Sequence, residues 1–309
     1  MTFQKWRVLL LLVLAPGTWA ETPASSSTSL QPLAPAPVVS VERVEHASEP
    51  APIQDNSFLI EEAYNQEDGV IQHISSYQKL TTGDWAFTQT DEWPLRSLKH
   101  QLSVTVAATH AGDFPASGAG WGDTFLNYRY QLLGSGETRL AVAPRLSLLL
   151  PTGNQVQGHG IGGAGIQSNL PLSFVINRHI VTHWNAGVMW VPRAENERQQ
   201  KATAVSSNFG QSVVWLVKPR FNALLETLWT SNAEVVAAGR TMQRHDLYVS
   251  PGIRWAYNFK SGLQIVPGVG VPIGVGPSSG DKGLLLYLSF EHPFKLAHSR
   301  HEASPLTRE

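Results

Sequence analysis

The clearest alternation of apolar and polar residues in this chain lies between Asp246 and Phe259. Every second residue is large and apolar, as at Val249 and Ile253, and the residues between them are small or polar, as at Arg254. Successive side chains of a β-strand point to opposite faces, so this segment has one apolar and one polar face. An apolar face toward lipid and a polar face toward an interior are typical of a transmembrane β-strand.

Eleven other segments have a similar length, and most share the alternation. It is weakest in the first two, and in residues 208–217 the inward and outward faces are ambiguous. The sequence therefore predicts an all-β fold, a transmembrane antiparallel up-and-down β-barrel of twelve strands. The predicted strands are 69–79, 84–95, 99–110, 123–132, 138–150, 162–174, 179–191, 208–217, 220–230, 246–259, 263–273 and 283–294.

Short and long connections alternate between these strands. The predicted tight turns are 96–98, 133–137, 177–178, 218–219 and 260–262. The predicted longer loops are 111–122, 151–161, 192–207, 231–244 and 274–282. Bacterial barrels have short periplasmic turns and longer outer loops, so we expect both termini in the periplasm of a Gram-negative bacterium.

Composition agrees with an exported membrane barrel. Only 15% of the residues are charged, and beyond the N-terminus no apolar run approaches the ~20 residues of a membrane helix. A formal net charge of −1 argues against a nucleic-acid partner, and the absence of cysteine excludes disulfides and thiolate metal sites. The expected partners are outer-membrane lipid, the outer-membrane assembly machinery and a small-molecule solute.

The two ends of the chain differ from the barrel in composition. Residues 1–20 read as a signal peptide, with Lys5 and Arg7 before an apolar stretch and a small-x-small site ending at Ala20. Residues 21–55, rich in Pro, Ala and Ser, predict a disordered periplasmic leader. The barrel is expected over 56–294 and a polar tail over 295–309. Residues 56–68 mix apolar and acidic side chains, and the sequence leaves open whether they form a plug or a periplasmic cap.

Charged residues at inward-facing positions are the candidate site. They predict either ion pairs that brace the barrel or a polar path through it, and the two roles are compatible. Twelve strands lie between the small filled barrels and the open porins, so a wide pore does not follow from strand number. The lumen-lining candidates are Asp123, Arg129, Arg139, Arg145, Arg220, Glu226, Asp246, Arg254 and Glu291.

Three motifs suggest other chemistry. The glycine-rich stretch 158–163 has the spacing of a dinucleotide fingerprint but lies between two predicted strands, so we expect no cofactor. His179 and His183 on one strand would be about 13 Å apart, too far to share a metal ion. His183 and Asn185 suggest the histidine and the third polar residue of a Ser–His catalytic site. No well-placed serine can be named on the predicted neighbouring strands. Catalytic and metal residues are therefore expected to be absent.

Three stretches resemble one large family of bacterial outer-membrane barrels, labelled as a putative component of the meta-pathway of phenol degradation. They are residues 56–67, residues 120–124 with 128–131, and residues 144–147 through 151–154. The resemblance covers about residues 56–294 and implies an exported twelve-stranded barrel with a transporter-like role and no catalytic residues. We expect passive passage of small molecules, including hydrophobic or aromatic compounds; the alternatives are an outer-membrane lipid-modifying enzyme and a structural barrel without transport.

Overall fold

A computed structural model describes residue Ile53 and residues 55–95, 97–110 and 118–294. The predicted signal peptide, nearly all of the predicted leader and the predicted C-terminal tail lie outside the described residues. Within the described ranges, no helix is long and apolar enough to cross a membrane.

The chain forms one closed antiparallel barrel of twelve strands, which confirms the predicted fold class. Four of the twelve strands are interrupted and consist of two segments each: β4 with β5, β6 with β7, β12 with β13, and β14 with β15. The segments are β1 Val70–Leu80, β2 Trp85–Pro94, β3 His100–His110, β4 Gly120–Trp121, β5 Thr124–Tyr130, β6 Leu140–Val142, β7 Arg145–Leu150, β8 Gly165–Asn177, β9 Ile180–Glu195, β10 Lys201–Lys218, β11 Phe221–Ala237, β12 Arg240–Trp255, β13 Tyr257–Asn258, β14 Gln264–Gly270, β15 Ile273–Gly274 and β16 Gly283–Pro293.

The seam between the first and last strands closes the barrel. Strand β1 pairs antiparallel with β16 along its whole length, from Val70 opposite Pro293 to Leu80 opposite Gly283. The remaining barrel strands pair with their neighbours in sequence, as expected of an up-and-down barrel. We call the end that carries Val70 and Pro293 the terminal end, and the other the hairpin end.

The predicted faces of the strands are the observed ones. On β12, Ile253 is 39% exposed on the outer surface and its neighbour Arg254 is 1% exposed in the interior. Trp190 and Leu286 likewise point outward. Most inward positions are small or polar, and the apolar ones include Val214, Leu224 and Leu285, which form a cluster with Phe58. This surface has the apolar exterior and polar interior of a transmembrane barrel.

Two predicted loops are wrong. Most of 192–207 and 231–244 is strand: the β9–β10 ladder extends to Glu195 opposite Lys201, and the β11–β12 ladder to Ala237 opposite Arg240. These hairpins extend past the alternating apolar stretch. Their buried positions are occupied by small residues such as Ala194, Ala204 and Ala233, and their exposed positions include charged residues. The alternation of large apolar and polar residues is therefore lost, although the backbone hydrogen bonds continue.

Candidate functional site

The barrel interior is occupied by the chain's own N-terminal segment. Residues 55–66, here called the plug segment, run through the lumen without forming a helix or a strand. Ile60 is 1% exposed and Ala63 is fully buried. A buried backbone needs partners for its N–H and C=O groups, and here inward side chains of the wall supply them.

Wall side chains accept hydrogen bonds from alternate backbone N–H groups of the plug segment. From Leu59 to Asn65 the donors follow a period of two, as they would in a strand facing a neighbour on one side, and Gln66 adds one more. The acceptors come from four different strands and from the turn after β5, so the segment is held by most of the circumference. The bonds are Leu59 N to Glu226 Oε1 at 2.8 Å, Glu61 N to Asn185 Oδ1 at 2.8 Å, Ala63 N to Ser173 Oγ at 2.8 Å, Asn65 N to Gln131 Oε1 at 3.0 Å and Gln66 N to Gln101 Oε1 at 2.7 Å.

Two arginines hold carbonyl groups of the plug segment. Arg254 donates from one nitrogen to the carbonyls of Asp55 and Asn56, each at 2.6 Å. Arg129 donates to the carbonyls of Tyr64 at 2.6 Å and Glu62 at 3.3 Å. Hydrogen bonds from charged donors are stronger than neutral ones, so these arginines are the main polar anchors of the segment.

Amide side chains complete the backbone contacts. Asn185 accepts from the N–H of Glu61 and donates to its carbonyl at 2.9 Å, and Gln131 donates to the carbonyl of Ala63 at 2.8 Å. An amide that satisfies both groups of one residue replaces what a neighbouring strand would offer. The wall therefore substitutes for a sheet.

Phe58 fits against glycines of β12 and β14. A Cβ atom added at Gly268 would lie 2.5 Å from the Phe58 ring, and one at Gly252 would lie 2.6 Å from it. The ring also packs against Tyr287, with 5.2 Å between centroids. Glycine at these positions leaves the space that the aromatic ring fills.

Charged groups of the plug segment are paired with the wall. Glu61 forms an ion pair with Arg145 at 2.7 Å. Asp55 accepts hydrogen bonds from Gln72 at 2.8 Å and from the Tyr287 hydroxyl at 2.7 Å. Burial, followed by the charge of Asp55, raises the pKa of Glu62 well above its usual value.

Of the nine predicted lumen residues, four contact the plug segment. Arg129 and Arg254 hold its carbonyls, Arg145 pairs with Glu61, and Glu226 accepts the N–H of Leu59. A fifth residue, Glu291, lines a cavity of about 320 Å³ with Gln66 at the terminal end. The arginines of this group are directed toward the segment. One nitrogen of the Arg129 guanidinium also lies 3.5 Å from the carboxylate of Glu92.

The other four predicted residues lie near the ends of the barrel. Asp123 accepts hydrogen bonds from Gly153 N at 3.0 Å and Ile161 N at 2.8 Å, and so ties down the glycine-rich loop between β7 and β8. Asp246 lies near the hairpin end, 3.6 Å from Arg244. Arg220 is exposed in the turn before β11, and Arg139 is exposed before β6 with its guanidinium 5.2 Å from the ring centroid of Phe174.

The neutral side chains that bind the segment are not among the predicted lumen-lining residues, all of which are charged. Asn185, Gln131, Ser173 and Gln101 are all buried or nearly so on the lumen wall. Their inward position could be deduced from strand alternation. Their partner could not, because the plug segment has no periodic pattern that specifies a route through the barrel.

The prediction that no well-placed serine lies on the strands beside His183 is wrong. Ser173 on β8 lies directly opposite His183 on β9, and its Oγ is 2.7 Å from His183 Nδ1. The same Oγ accepts the N–H of Ala63. Both side chains are buried beneath the plug segment, where the pair anchors the segment.

Cavities remain on both sides of the plug segment. Toward the hairpin end, cavities of about 170 Å³ and 250 Å³ are lined mostly by hydroxyl and amide side chains, including Thr105 and Asn169. Toward the terminal end, a cavity of about 610 Å³ combines apolar residues, including Val181, Val214 and Leu216, with charged residues such as Arg139 and Arg254. The segment thus borders cavities toward both ends of the barrel, and the one of about 610 Å³ has an apolar patch in its wall.

Together, the closed barrel, its apolar exterior and its polar lumen define a transmembrane β-barrel. No protein-family model matches the chain, and no curated protein matches it. Among solved structures, it is similar to an outer membrane channel from Pseudomonas putida F1, with a TM-score of 0.52 and 15% identity over 74% of this chain and 97% of that chain. A NanC porin matches with a TM-score of 0.47 and 9% identity over 73% of this chain and 100% of that chain. At 15% identity, the similarity to the Pseudomonas putida channel shows a shared fold.

Proposed function

We propose that this protein is an outer-membrane channel for passive passage of small molecules, closed in the described conformation by the plug segment. The observation that carries the proposal is the set of wall side chains that bind the segment's backbone in the lumen. A barrel needing only mechanical stability could fill its interior with wall side chains. A separate segment, followed by exposed residues Glu67 and Asp68, provides a part that can move.

The proposal includes location and partners. An apolar exterior suits outer-membrane lipid, and closure of the barrel suits insertion by the outer-membrane assembly machinery. Short connections at the terminal end and long hairpins at the other end favour a periplasmic position for both termini. The fold shared with an outer membrane channel supports the proposed location in the outer membrane.

The solutes we propose are small, including hydrophobic or aromatic compounds. The apolar patch in the chamber at the terminal end, with Val181 and Leu216, supports this, as does the resemblance to the phenol meta-pathway family. Polar solutes fit the hydroxyl- and amide-lined chambers at the hairpin end better. Passage of either class requires the plug segment to leave the lumen.

The test is single-channel conductance of the full-length protein in planar bilayers. A protease site inserted between Glu67 and Asp68 allows the chain to fold intact and then be cut, after which the freed segment is washed out. The same insertion without protease is the matched control. We expect rare conductance steps before cleavage and frequent steps after it.

Silence before and after removal of the segment, in a barrel shown to be inserted, would refute the channel and favour a structural barrel. Frequent steps from the uncut protein would refute the closed state. Phospholipid hydrolysis by the pure barrel, abolished by Ser173→Ala, would replace the channel by the enzyme alternative.

A further inference from the structure

We propose that the lumen wall is a binding site for an extended peptide, and that the plug segment occupies it in place of a peptide supplied from outside. This inference rests on the proposed function and names a substrate class for the same lumen: short peptides that bind in an extended conformation. The plug segment would then act as an internal competitor of its own cargo.

The first argument is that the wall contacts mainly the backbone. Asn185 satisfies both the N–H and the C=O of Glu61, Arg254 holds two consecutive carbonyls, and Arg129 holds two carbonyls two residues apart. Nearly every peptide presents these groups at these spacings. A wall that needed only one resident sequence could use side-chain packing alone.

The second argument is that side-chain selection is confined to a few positions. The Phe58 ring fills the space left by Gly252 and Gly268, which favours an aromatic residue. Five residues later, Ala63 is fully buried against Ala141 and Ala143, which leaves room only for a small residue. Between them, the Ile60 side chain fills the space left by Gly210, whereas Leu59 and Glu61 border the chambers of the lumen. The pattern selects an aromatic residue, an aliphatic residue two positions later and a small residue three positions after that, and tolerates variation at the positions of Leu59 and Glu61.

The third argument is access. The plug segment borders chambers on both sides, and the cavity at the terminal end, about 610 Å³, is large enough for several side chains. Glu67 and Asp68, which connect the segment to β1, are exposed. A peptide entering from either chamber therefore meets the same row of donors and acceptors once the segment moves.

The experiment uses the full-length protein with a protease site between Glu67 and Asp68, folded intact and then cut. A fluorophore attached upstream of Ile53 reports loss of the segment by a fall in anisotropy. The competitors are a synthetic copy of residues 53–66 and an unrelated peptide that keeps only an aromatic, an aliphatic and a small residue at the positions of Phe58, Ile60 and Ala63. A third peptide is the unrelated one with N-methyl groups at the positions of Leu59, Glu61 and Ala63.

We expect the first two peptides to displace the segment at concentrations within about ten-fold of each other. The N-methylated peptide should need at least about 100-fold more, because three hydrogen bonds at roughly 1 kcal/mol each are lost. Asn185→Leu removes a partner that the segment and the peptides share, so the cut segment should dissociate about ten-fold faster or more before any peptide is added. Asn232→Leu is the matched control, since Asn232 bonds to Thr230 and should leave that dissociation rate unchanged.

Displacement by the synthetic copy alone would overturn the inference, as would equal displacement by the N-methylated peptide. If the cut segment stays bound, the Phe58→Ala variant is used, because it weakens the anchor of the segment. If the unrelated peptide fails to displace the segment from that variant, the inference is also overturned. Conductance separates the two proposals: peptide exchange in a barrel that never conducts would refute the channel and keep the peptide site.

Discussion

The glycines around Phe58 allow a quantitative test of how the plug segment is retained. A Cβ at Gly268 would lie 2.5 Å from the Phe58 ring, and one at Gly270 would lie 3.1 Å from it. Carbon atoms do not approach to 2.5 Å, so Gly268→Ala forces the ring out of its place. Gly270→Ala demands a shift of only a few tenths of an ångström. The two substitutions add the same methyl group on neighbouring inward positions of β14 and differ mainly in this distance.

Overpacking of this kind costs roughly 1–3 kcal/mol. If that cost falls on the closed state, Gly268→Ala raises the ratio of open to closed channels by about 5- to 150-fold, since 1.4 kcal/mol corresponds to ten-fold. Gly270→Ala should give a clearly smaller increase. The upper bound is Phe58→Ala, which removes the ring at a cost of roughly 3–5 kcal/mol.

The assay is the open fraction in single-channel records, with heat-dependent gel mobility as the control for a folded barrel. In the Phe58→Ala background, Gly268→Ala should have no further effect, because the ring it displaces is gone. An open fraction for Gly268→Ala equal to that of the wild type would refute the reasoning. An equal increase with and without Phe58 would assign the effect to the wall and not to the plug segment.

Three further predictions concern the membrane face and the charges of the plug segment. Leu286→Arg should lower the free energy of unfolding in vesicles by ~2–4 kcal/mol if this outward residue meets the bilayer midplane, whereas Val236→Arg, on the hairpin beyond the predicted apolar stretch, should cost little. Glu61→Gln removes the partly exposed pair with Arg145 and should raise the open fraction less than ten-fold; 1 M salt should raise it similarly in the wild type and not in the variant. Because the pKa of Glu62 is raised in the plugged state, its stabilising contribution is full below its usual value of 4.5 and is lost as pH rises through the raised pKa. The open fraction should therefore increase toward alkaline pH, and Glu62→Gln should flatten that increase; an unchanged profile would contradict this account.

Strand alternation predicted the barrel because the bilayer imposes it. Where Ile253 faces outward and Arg254 inward, the environment on each side of the wall selects the residue type, and the period of two results directly. The same reasoning fails outside the bilayer. The hairpin between β11 and β12 continues its ladder through Glu234 opposite Met242, where a charged and an apolar residue are exposed side by side.

The position of the plug segment was beyond sequence reasoning for a different reason. Its partners are distant in sequence. Gln131 lies 66 residues from Asn65, and Arg254 lies 199 residues from Asp55. Such contacts depend on barrel closure, and an amide such as Asn185 carries no mark of the residue it will bind. Inward arginines could be listed from alternation, but the sequence did not distinguish Arg254, which is buried against the segment, from Arg220, which is exposed in a turn.

The short link between the plug segment and β1 has a consequence for the proposed channel and for the proposed competition by free peptides. Residues 67–69 join Gln66 to Val70, the first residue of the strand that closes the barrel against β16. A tether this short keeps the segment at an effective concentration of at least the millimolar order, whatever the amount of protein in the membrane. A free molecule that competes for the lumen must therefore either reach millimolar levels or bind more tightly than the segment itself. The closed state is set by chain connectivity as much as by affinity, so dilution cannot open the channel, and cutting one peptide bond in the link can.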